Sequence, residues 1–521
     1  MRISTSQIQL SGLNRMLEQQ SQMLRTQQQL AAGKRILNPA DDPAASARIV
    51  GLDQTLKVTE KYQGNIDFAR SRLELEEGVI SSVTNVLNRV RELAVQANNS
   101  SLTNDDRRSL AIEAQERLNE LLGLGNAQDA GGEFLFSGYQ GSTQPFAATA
   151  SGPYAYNGDD GQRFIQIGSS RQIAVTDSGT STFREIRNGN GTFTALDNPL
   201  NSGGGIIDPG SVANPSLIDG DTYNITFLAA TSATGGVTYS DNSATADNLT
   251  YTLEINGTTV YSTDEADATP VTSLAGLAAE INDDMGTTGV RAYVDGGSLY
   301  LTNTSPSATP ITITESMGGA SDGDLDRMTG YFGGNLSGSS TPSITTTLNS
   351  EADFYLVEDS MGNVETSGSY SDGGSIAFNG IQTNVKGSPN VGDSFSISPS
   401  LNQDVFSTVR NLVSILESGS NNTPADSARL NNDFNRFFSD VDRAMENFRA
   451  ARTQIGSRLV ALDTQENLND GYILQIKSTL SDLQDLDYTE AITRLNQQEV
   501  ALKAAQQSYM RIQGLSLFNY L

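Results

Sequence analysis

The 521-residue sequence contains no cysteine, no histidine and no tryptophan. Without cysteine it can form no disulfide bond, thiolate metal site or thiol nucleophile. Without histidine it can build no Ser-His-Asp triad, imidazole metal ligand or imidazole proton shuttle. A zinc ion would find only carboxylates and water as ligands, which disfavours a structural zinc site. We therefore expect no catalytic residue, no resident metal and no cofactor.

Long apolar runs are also missing. No stretch approaches the roughly 18 to 20 apolar residues that cross a membrane. The opening residues, MRISTSQIQLSGLNRMLEQQ, lack the apolar core of a cleaved secretory signal. These two absences alone predict a cytoplasmic protein, an expectation that the resemblance described below revises.

Basic residues are scarce, and the shortage is local. The chain has 33 basic and 61 acidic side chains, a formal charge of −28, which disfavours nucleic-acid binding. Residues 141–400 hold 29 acidic and 7 basic residues, whereas the two flanks together hold 32 and 26. The middle is rich in Gly, Ser, Thr, Asn and Asp, and the flanks are rich in Gln, Leu, Arg, Ala and Glu. We interpret the middle as an insertion, with the flanks forming one discontinuous domain.

The flanks carry heptad repeats typical of long helices. The N-terminal repeat comprises Ile66, Ala69, Leu73, Ile80, Val83, Leu87, Val90, Ala94 and Ala97. The C-terminal repeat comprises Phe434, Phe438, Val441, Met445, Phe448, Ile455, Leu459, Leu462, Ile473, Ile476, Leu480 and Leu483. Thr103, followed by Asn104, Asp105 and Asp106, predicts the start of a further helix that ends near Gly123 and Gly125. The two repeats predict an antiparallel helical rod.

The middle has the short alternating segments and Gly/Asn/Asp turns of β-structure. Strands are predicted at 163–167, 251–255 and 298–301, a hairpin turn at Asn256-Gly257 and one helix at 274–281. The fold class is therefore α+β multidomain, a helical rod carrying inserted β-rich domains. We predict a helical assembly domain at 1–140 and 401–521, a β-rich middle domain at 141–200 and 346–400, and a β-rich outer domain at 201–345.

Both ends of the chain carry a narrow apolar stripe bordered by glutamine. Leu10, Leu17, Leu24 and Ala31 recur every seven residues, as do Tyr488, Leu495, Leu502 and Tyr509. A stripe this narrow buries too little surface to offset the ordering of a terminus by itself. Each stripe can pack on its own domain or on another subunit, and the presence of two matched stripes favours coiled-coil contacts between subunits.

Few chemical motifs remain. The acidic run 322–326 opens like an EF-hand calcium loop, but Arg327 and Gly333 stand where that loop needs Gly and Glu, so a solvated turn is the better interpretation. Asn38, Pro39, Ala40, Asp41, Asp42 and Pro43 form a short segment between two predicted helices. It is either a plain interhelical turn or a stiff, charged loop that contacts a neighbouring subunit.

Several segments resemble the flagellin superfamily of bacterial flagellar axial proteins, and within it the hook–filament junction family. They are the opening twenty residues, the loop AAGKRILNPADDPAASARI, the segment GGEFLFSGYQGSTQPF, the segment SIAFNGIQTNVKGSPNVGDSFSISPS and the end YTEAITRLNQQEVALKAAQQSYMRIQGLSLFNYL. Residues 250–315 resemble, less closely, a β-rich insert of flagellar axial proteins. The resemblance implies export through the flagellar type III apparatus, which needs no cleaved signal, and termini (1–45 and 488–521) that order only on assembly.

The resemblance also implies partners and contact residues. The partners are identical subunits in a ring or helical layer, the first hook-associated protein, flagellin, and an export chaperone at the C-terminal region. Axial contacts would fall on Leu10, Leu13, Leu17, Leu24, Leu495, Leu502, Tyr509 and Ile512, and the loop contact on Asn38, Pro39, Asp41, Asp42 and Pro43. Two alternatives stay open: flagellin itself, and a secreted β-rich adhesin or carbohydrate-acting enzyme built on the insert.

Overall fold

The computed structural model describes residues 5–149, 154–233, 250–262, 273–295, 297–305, 309–318, 331–332, 343–346, 352–419 and 423–514. The helices are α1 (Thr5–Ala32), α2 (Pro43–Ala97), α3 (Asn104–Gly125), α4 (Leu274–Asp283), α5 (Met285–Thr288), α6 (Val405–Ser418), α7 (Pro424–Gln484) and α8 (Tyr488–Gly514). The chain divides into two compact units. Unit 1 comprises Met1–Leu75, Arg163–Thr176 and Gln454–Leu521, and unit 2 comprises Glu76–Gln162 and Asp177–Thr453.

The strands are short, as expected for a turn-rich insert. They are β1 (Phe146–Ala147), β2 (Ala155–Tyr156), β3 (Phe164–Gln166), β4 (Gln172–Ala174), β5 (Ile186–Arg187), β6 (Phe193–Asp197), β7 (Ile206–Ile207), β8 (Ser211–Val212), β9 (Tyr223–Leu228), β10 (Ala230–Ala233), β11 (Thr250–Ile255), β12 (Thr258–Ser262), β13 (Val290–Asp295), β14 (Ser298–Asn303), β15 (Ile311–Gly318), β16 (Ser343–Thr346), β17 (Phe354–Glu358), β18 (Val364–Ser369), β19 (Ser375–Phe378), β20 (Ile381–Lys386), β21 (Ser394–Pro399) and β22 (Asn402–Gln403).

Unit 1 is built from helices and one β-hairpin. Within it, α2 and α7 run antiparallel, and ion pairs that join Glu60 to Lys477 (3.7 Å) and Arg70 to Asp463 (2.8 Å) report their register. The β3–β4 hairpin lies on both helices, because the Asn65 side chain donates to the Gln166 carbonyl (2.7 Å) and the Asn469 side chain donates to the Ile167 carbonyl (3.1 Å). Each amide satisfies a backbone group that the short hairpin leaves unpaired.

The predicted heptad residues form the interior of the rod. All nine residues of the N-terminal repeat, from Ile66 to Ala97, are completely buried. In the C-terminal repeat, Phe434, Val441, Phe448, Ile455 and Leu462 are completely buried as well. The prediction of an antiparallel helical rod is therefore confirmed, and α2 and α7 extend it to 55 and 61 residues.

The helical part of unit 2 contains an aromatic core. Phe136, Phe146, Phe183, Phe406 and Phe448 are completely buried, with neighbouring ring centroids 4.9–5.7 Å apart. This core joins α6 and α7 to the segment that follows α3. The helix α3 begins as predicted, because Thr103 caps it and exchanges hydrogen bonds with Asp106 in a capping box.

The strands of the middle region form two antiparallel sheets. One has the order β18-β17-β9-β21-β6, and the other has the order β19-β20-β7, with β8 paired to β20. Tyr223, Ile225, Phe227, Phe395 and Ile397 lie in the core that the sheets share. Strands from 193–228 therefore pair with strands from 354–399, and residues 206–228 belong to this middle region.

The predicted boundary at 200/201 is thus misplaced, and the chain passes into the outer region near Ala229. The Gly-rich run that suggested the boundary is a local turn. Asp393 holds it by accepting hydrogen bonds from the backbone N–H groups of Ser202 (2.7 Å) and Gly203 (2.9 Å). A cluster of small residues here marks a tight approach of two backbones rather than a domain edge.

The outer region has its own core. Its sheets have the orders β12-β11-β15-β16 and β10-β14-β13, and α4 packs on them through Leu277 and Ile281. Asn256 and Gly257 both have positive φ, as the predicted hairpin turn requires. A second cluster, Leu228, Tyr293, Phe354 and Leu356, joins the outer region to the middle sheet, and Arg291 pairs with Glu358 (3.1 Å) beside it.

Candidate assembly surface

The first and last helices of unit 1, α1 and α8, pack against each other as an antiparallel pair. A Cβ atom on Gly12 would lie 3.3 Å from Cδ2 of Tyr509, and one on Gly33 would lie 2.9 Å from the hydroxyl of Tyr488. Between these contacts, Met16, Gln19, Met23, Thr26 and Leu30 of α1 are buried or half-buried. They recur with heptad spacing, which defines the face of α1 that α8 covers.

The face of α8 toward α1 contains part of the predicted contact set. Leu495, Leu502 and Tyr509 are half-buried in the same frame as Ala491, which is completely buried. These residues therefore contribute to pairing within the chain. Ile512 also lies in α8, but its side chain is outside the described residues.

The leucines of α1 lie on a different face. Leu10 is 60% exposed, Leu13 40%, Leu17 55% and Leu24 50%. Among the residues that the structure describes, no other helix or strand covers this face. We call these four residues the leucine stripe. An uncovered row of large apolar side chains on a surface is characteristic of a protein–protein contact.

Sequence reasoning missed other exposed apolar residues of unit 1. On α8 they are Ile492, Val500 and Met510, on α2 Val50, Val58, Phe68 and Leu75, and on α7 Val460, Leu468, Tyr472 and Leu474. None of them belongs to the heptad frames that predicted the helices. The signal available in the sequence was the presence of apolar residues outside the dominant heptad frame. A helix that is buried on only one side needs no apolar residues on its other side.

The loop between α1 and α2 is fixed to the turn between α7 and α8. Gly33 ends α1 with a φ of +67°, and its carbonyl accepts a hydrogen bond from the backbone N–H of Leu486 (3.1 Å). The Arg35 backbone N–H donates to the Gln484 carbonyl (2.8 Å), and the Arg35 side chain donates to the Leu483 carbonyl (2.9 Å). The loop is therefore part of the framework that orients α1 and α8.

The two aspartates of the predicted contact loop hold the loop itself. Asp41 accepts hydrogen bonds from the backbone N–H groups of Asn38 and Leu37, both at 3.0 Å, and pairs with Arg25. The hydrogen bonds from Asn38 and Leu37 lower the pKa of Asp41. Asp42 caps α2 by accepting from the Ala45 N–H (3.0 Å).

Only part of that loop is left for a partner. Asn38, Pro39 and Pro43 are exposed, and Pro43 is the first residue of α2, where its fixed φ suits the helix. A neighbouring subunit would therefore meet the Asn38-Pro39 tip, and the aspartates would keep that tip in shape.

A crevice of about 650 Å³ lies in unit 2, with Asp433, Arg436 and Asp440 of α7 along one wall. Burial raises the pKa of Asp440 and of Asp433. Asp440 accepts a hydrogen bond from the Gly189 N–H (2.7 Å), and Asp433 pairs with Arg436. These carboxylates thus already have structural partners.

Within the described ranges, no group of His, Cys, Asp and Glu residues could hold a metal ion. The acidic run 322–326 lies outside those ranges. No described helix is both long and apolar enough to span a membrane.

Comparison with known proteins shows what this chain is similar to. Residues 3–141 match the family model of the bacterial flagellin N-terminal helical region. This match agrees with the resemblance to the flagellin superfamily that the sequence indicated. The chain is also similar to flagellar hook-associated protein 3 of Salmonella typhimurium, with 32% identity over 186 residues. That match covers 36% of this chain and 58% of the relative, so it spans little more than half of the relative's length.

Two further likenesses weigh the junction family against flagellin. The flagellar junction protein FlgL from Legionella pneumophila has the same fold, with a TM-score of 0.56 and 26% identity over 84% of this chain and 100% of that one. Phase 1 flagellin of Salmonella naestved is 30% identical over 135 residues, which is 26% of this chain and 27% of the relative. By sequence, the match to hook-associated protein 3 covers 36% of this chain and 58% of the relative, and the match to the flagellin covers 26% and 27%.

Proposed function

We propose that this chain is a structural, non-enzymatic component of the bacterial flagellum that joins the hook to the flagellin filament. The observation that carries the proposal is the likeness to a flagellar junction protein over 84% of this chain and all of that one. It acts by forming a layer of identical subunits, with the first hook-associated protein below and flagellin above. It reaches this place by export through the flagellar type III apparatus, escorted by a chaperone at its C-terminal region.

Layer formation would use the leucine stripe together with the Asn38-Pro39 tip. Fully burying a leucine side chain contributes about 1.5–3 kcal/mol. Burial of the four partly exposed leucines against a neighbour would therefore favour association strongly. The acidic outer region would face solvent, where like charge keeps neighbouring copies apart and soluble.

Deletion of the gene tests the proposed place in the flagellum. The expected strain keeps its hooks and releases unpolymerised flagellin into the medium. Normal filaments on the deletion strain would rule out the junction role. Filaments that are lost together with all extracellular flagellin would instead support the alternative, that this chain is itself the filament subunit.

Complementation of that strain tests the leucine stripe. Leu17→Glu places a charge on the uncovered face of α1 without touching α8, and we expect it to be exported but to leave filaments unattached. The matched control is Leu200→Glu in unit 2, where the leucine is 87% exposed. Equal motility of the two variants would exclude the leucine stripe as a contact.

A further inference from the structure

The pairing of α1 with α8 needs a device that selects one register. Both helices present a heptad seam, and two such seams can slide by seven residues and still meet. Coiled coils commonly fix their register with ion pairs beside the seam. Among the described residues, no ion pair joins α1 to α8. Arg494 pairs with Glu490 and Lys503 with Glu499, both within α8.

Buried polar side chains do not provide a lock either. Gln19 of α1 and Gln498 of α8 both lie in the seam, and the amide oxygen of each is buried with no hydrogen-bond partner among the described residues. A polar residue selects register by pairing with another polar group. These two amides therefore leave the register to the shapes of the other seam residues.

The shapes are most distinctive at the two ends of the seam. There, a tyrosine of α8 meets a glycine: the ring of Tyr509 lies over Gly12 of α1, and the hydroxyl of Tyr488 lies over Gly33, the residue that follows α1. Gly12 and Gly33 are 21 residues apart, as are Tyr488 and Tyr509, so both pairs form in the same register. The spacing equals three heptads.

We infer that the Gly12–Tyr509 and Gly33–Tyr488 pairs set the register of the terminal helix pair. Gly12 leaves a gap that the ring of Tyr509 fills, and Gly33 leaves a gap for the hydroxyl end of Tyr488. In the register shifted by one heptad in one direction Tyr509 would meet Gln19, and in the register shifted in the other direction Tyr488 would meet Thr26. In each case the tyrosine would face a side chain in place of a glycine. A glycine inside a helix is costly, and the ring that it admits explains its presence at position 12.

Gly12 is the diagnostic member of the two pairs. Gly33 also ends α1 in the left-handed conformation, so its replacement would strain the backbone for a separate reason. Gly12 lies inside α1 with helical neighbours on both sides. A leucine there would suit an ordinary heptad seam, and its only fault would be the space that it takes from Tyr509.

Disulfide cross-linking of the full-length chain tests the register without background, because the sequence has no cysteine. The pair Met16→Cys with Ala505→Cys reports the register of the structure, and Met16→Cys with Gln498→Cys reports the register shifted by one heptad. After mild oxidation we expect the first pair to cross-link and the second to remain reduced. Cross-links within or between chains support the inference equally, since register is what is measured.

Exchanging the sizes of the side chains at positions 12 and 509 then tests whether their contact sets the register. Gly12→Leu should lower the Met16→Cys/Ala505→Cys cross-link about tenfold. Adding Tyr509→Ala should restore it, because the smaller side chain makes room for the leucine. Gly51→Leu is the matched control, since a Cβ there has no atom within 4 Å, and it should change nothing. Equal cross-linking in both registers, an unaffected Gly12→Leu chain or a failed rescue would each overturn the inference.

Discussion

The two units of the chain place their large apolar side chains differently. Among the described residues, 17 such side chains are exposed on unit 1, which has 157 residues, and 9 are exposed on unit 2, which has 364. Unit 2 buries its apolar residues in an aromatic core and three β-sheet clusters, whereas unit 1 leaves whole helix faces uncovered. Exposed large apolar side chains are thus concentrated on unit 1, which is the pattern expected of a surface that binds other proteins.

Removal of the last helix, α8, should produce the largest difference in behaviour between the two units. A chain truncated before Tyr488 loses the partner of α1 and part of the exposed apolar surface of unit 1. We expect it to lose self-assembly completely, as measured by sedimentation, and to keep the β-sheet signal in circular dichroism. Loss of the β-signal would mean that the two units depend on each other for folding.

A cavity in the aromatic core should destabilise unit 2 and leave unit 1 unchanged. Phe183→Ala removes a completely buried ring that contacts four others of that core. We expect unit 2 to lose about 3–5 kcal/mol of unfolding free energy, measured by urea denaturation. The α1–α8 cross-link of unit 1 should persist. A loss of both together would remove the distinction between the units.

A smaller loss should follow removal of a single helix cap. Thr103→Ala deletes the side-chain oxygen that accepts the Asp106 N–H (3.2 Å) at the start of α3. The expected cost is about 1 kcal/mol of unfolding free energy, again in unit 2 alone. Thr103→Ser keeps the hydroxyl and serves as the control, so an equal loss in both variants would contradict the capping explanation.

The smallest expected effect is opposite pH dependence in the two units. Burial raises the pKa of Asp440 above its unfolded value, so its stabilising contribution is present at low pH and is lost as pH rises through the folded pKa. Hydrogen bonds lower the pKa of Asp41, so its contribution is present above the unfolded value of about 3.9 and is lost as pH falls. Acidification should therefore strengthen the surroundings of Asp440 and weaken the loop of Asp41.

Hydrogen exchange can measure this difference peptide by peptide, after correction for intrinsic exchange rates. From pH 7 to pH 4, protection near Gly189 should rise in the native chain and stay level in Asp440→Asn. Protection of residues 37–38 should fall in the native chain only as the pH is lowered further, from 4 through the folded pKa of Asp41, and should already be low in Asp41→Asn at pH 7. Parallel changes at both sites would show that these two carboxylates do not control the local stability.

Much of the rod could be predicted because its helices are strongly periodic. The repeats from Ile66 and from Phe434 mark the buried faces of α2 and α7, and Thr103 marks the start of α3. In each case the local signal and the tertiary environment agree, so one pattern suffices. The hairpin at Asn256-Gly257 was predictable for a similar reason, since few residues adopt that turn.

The pairing of the terminal helices was less predictable, because periodicity points to the most apolar face. On α1 that face is the leucine stripe, which stays uncovered. On the face that α8 covers, Met16, Met23 and Leu30 alternate with Gly12, Gln19 and Thr26, so its apolar periodicity is weaker than that of the leucine stripe. The predicted boundary of the outer region was misplaced because the Gly-rich composition of 203–205 reflects close contact with residues 388–395.

The outer region leaves and rejoins the middle sheet at neighbouring positions. Leu228, the last residue of β9, lies directly opposite Phe354, the first residue of β17. The 125 residues between them therefore begin and end at neighbouring positions of the middle sheet. A two-residue turn could join the same strands, so evolution can lengthen, exchange or discard this outer region without altering the helices of unit 1.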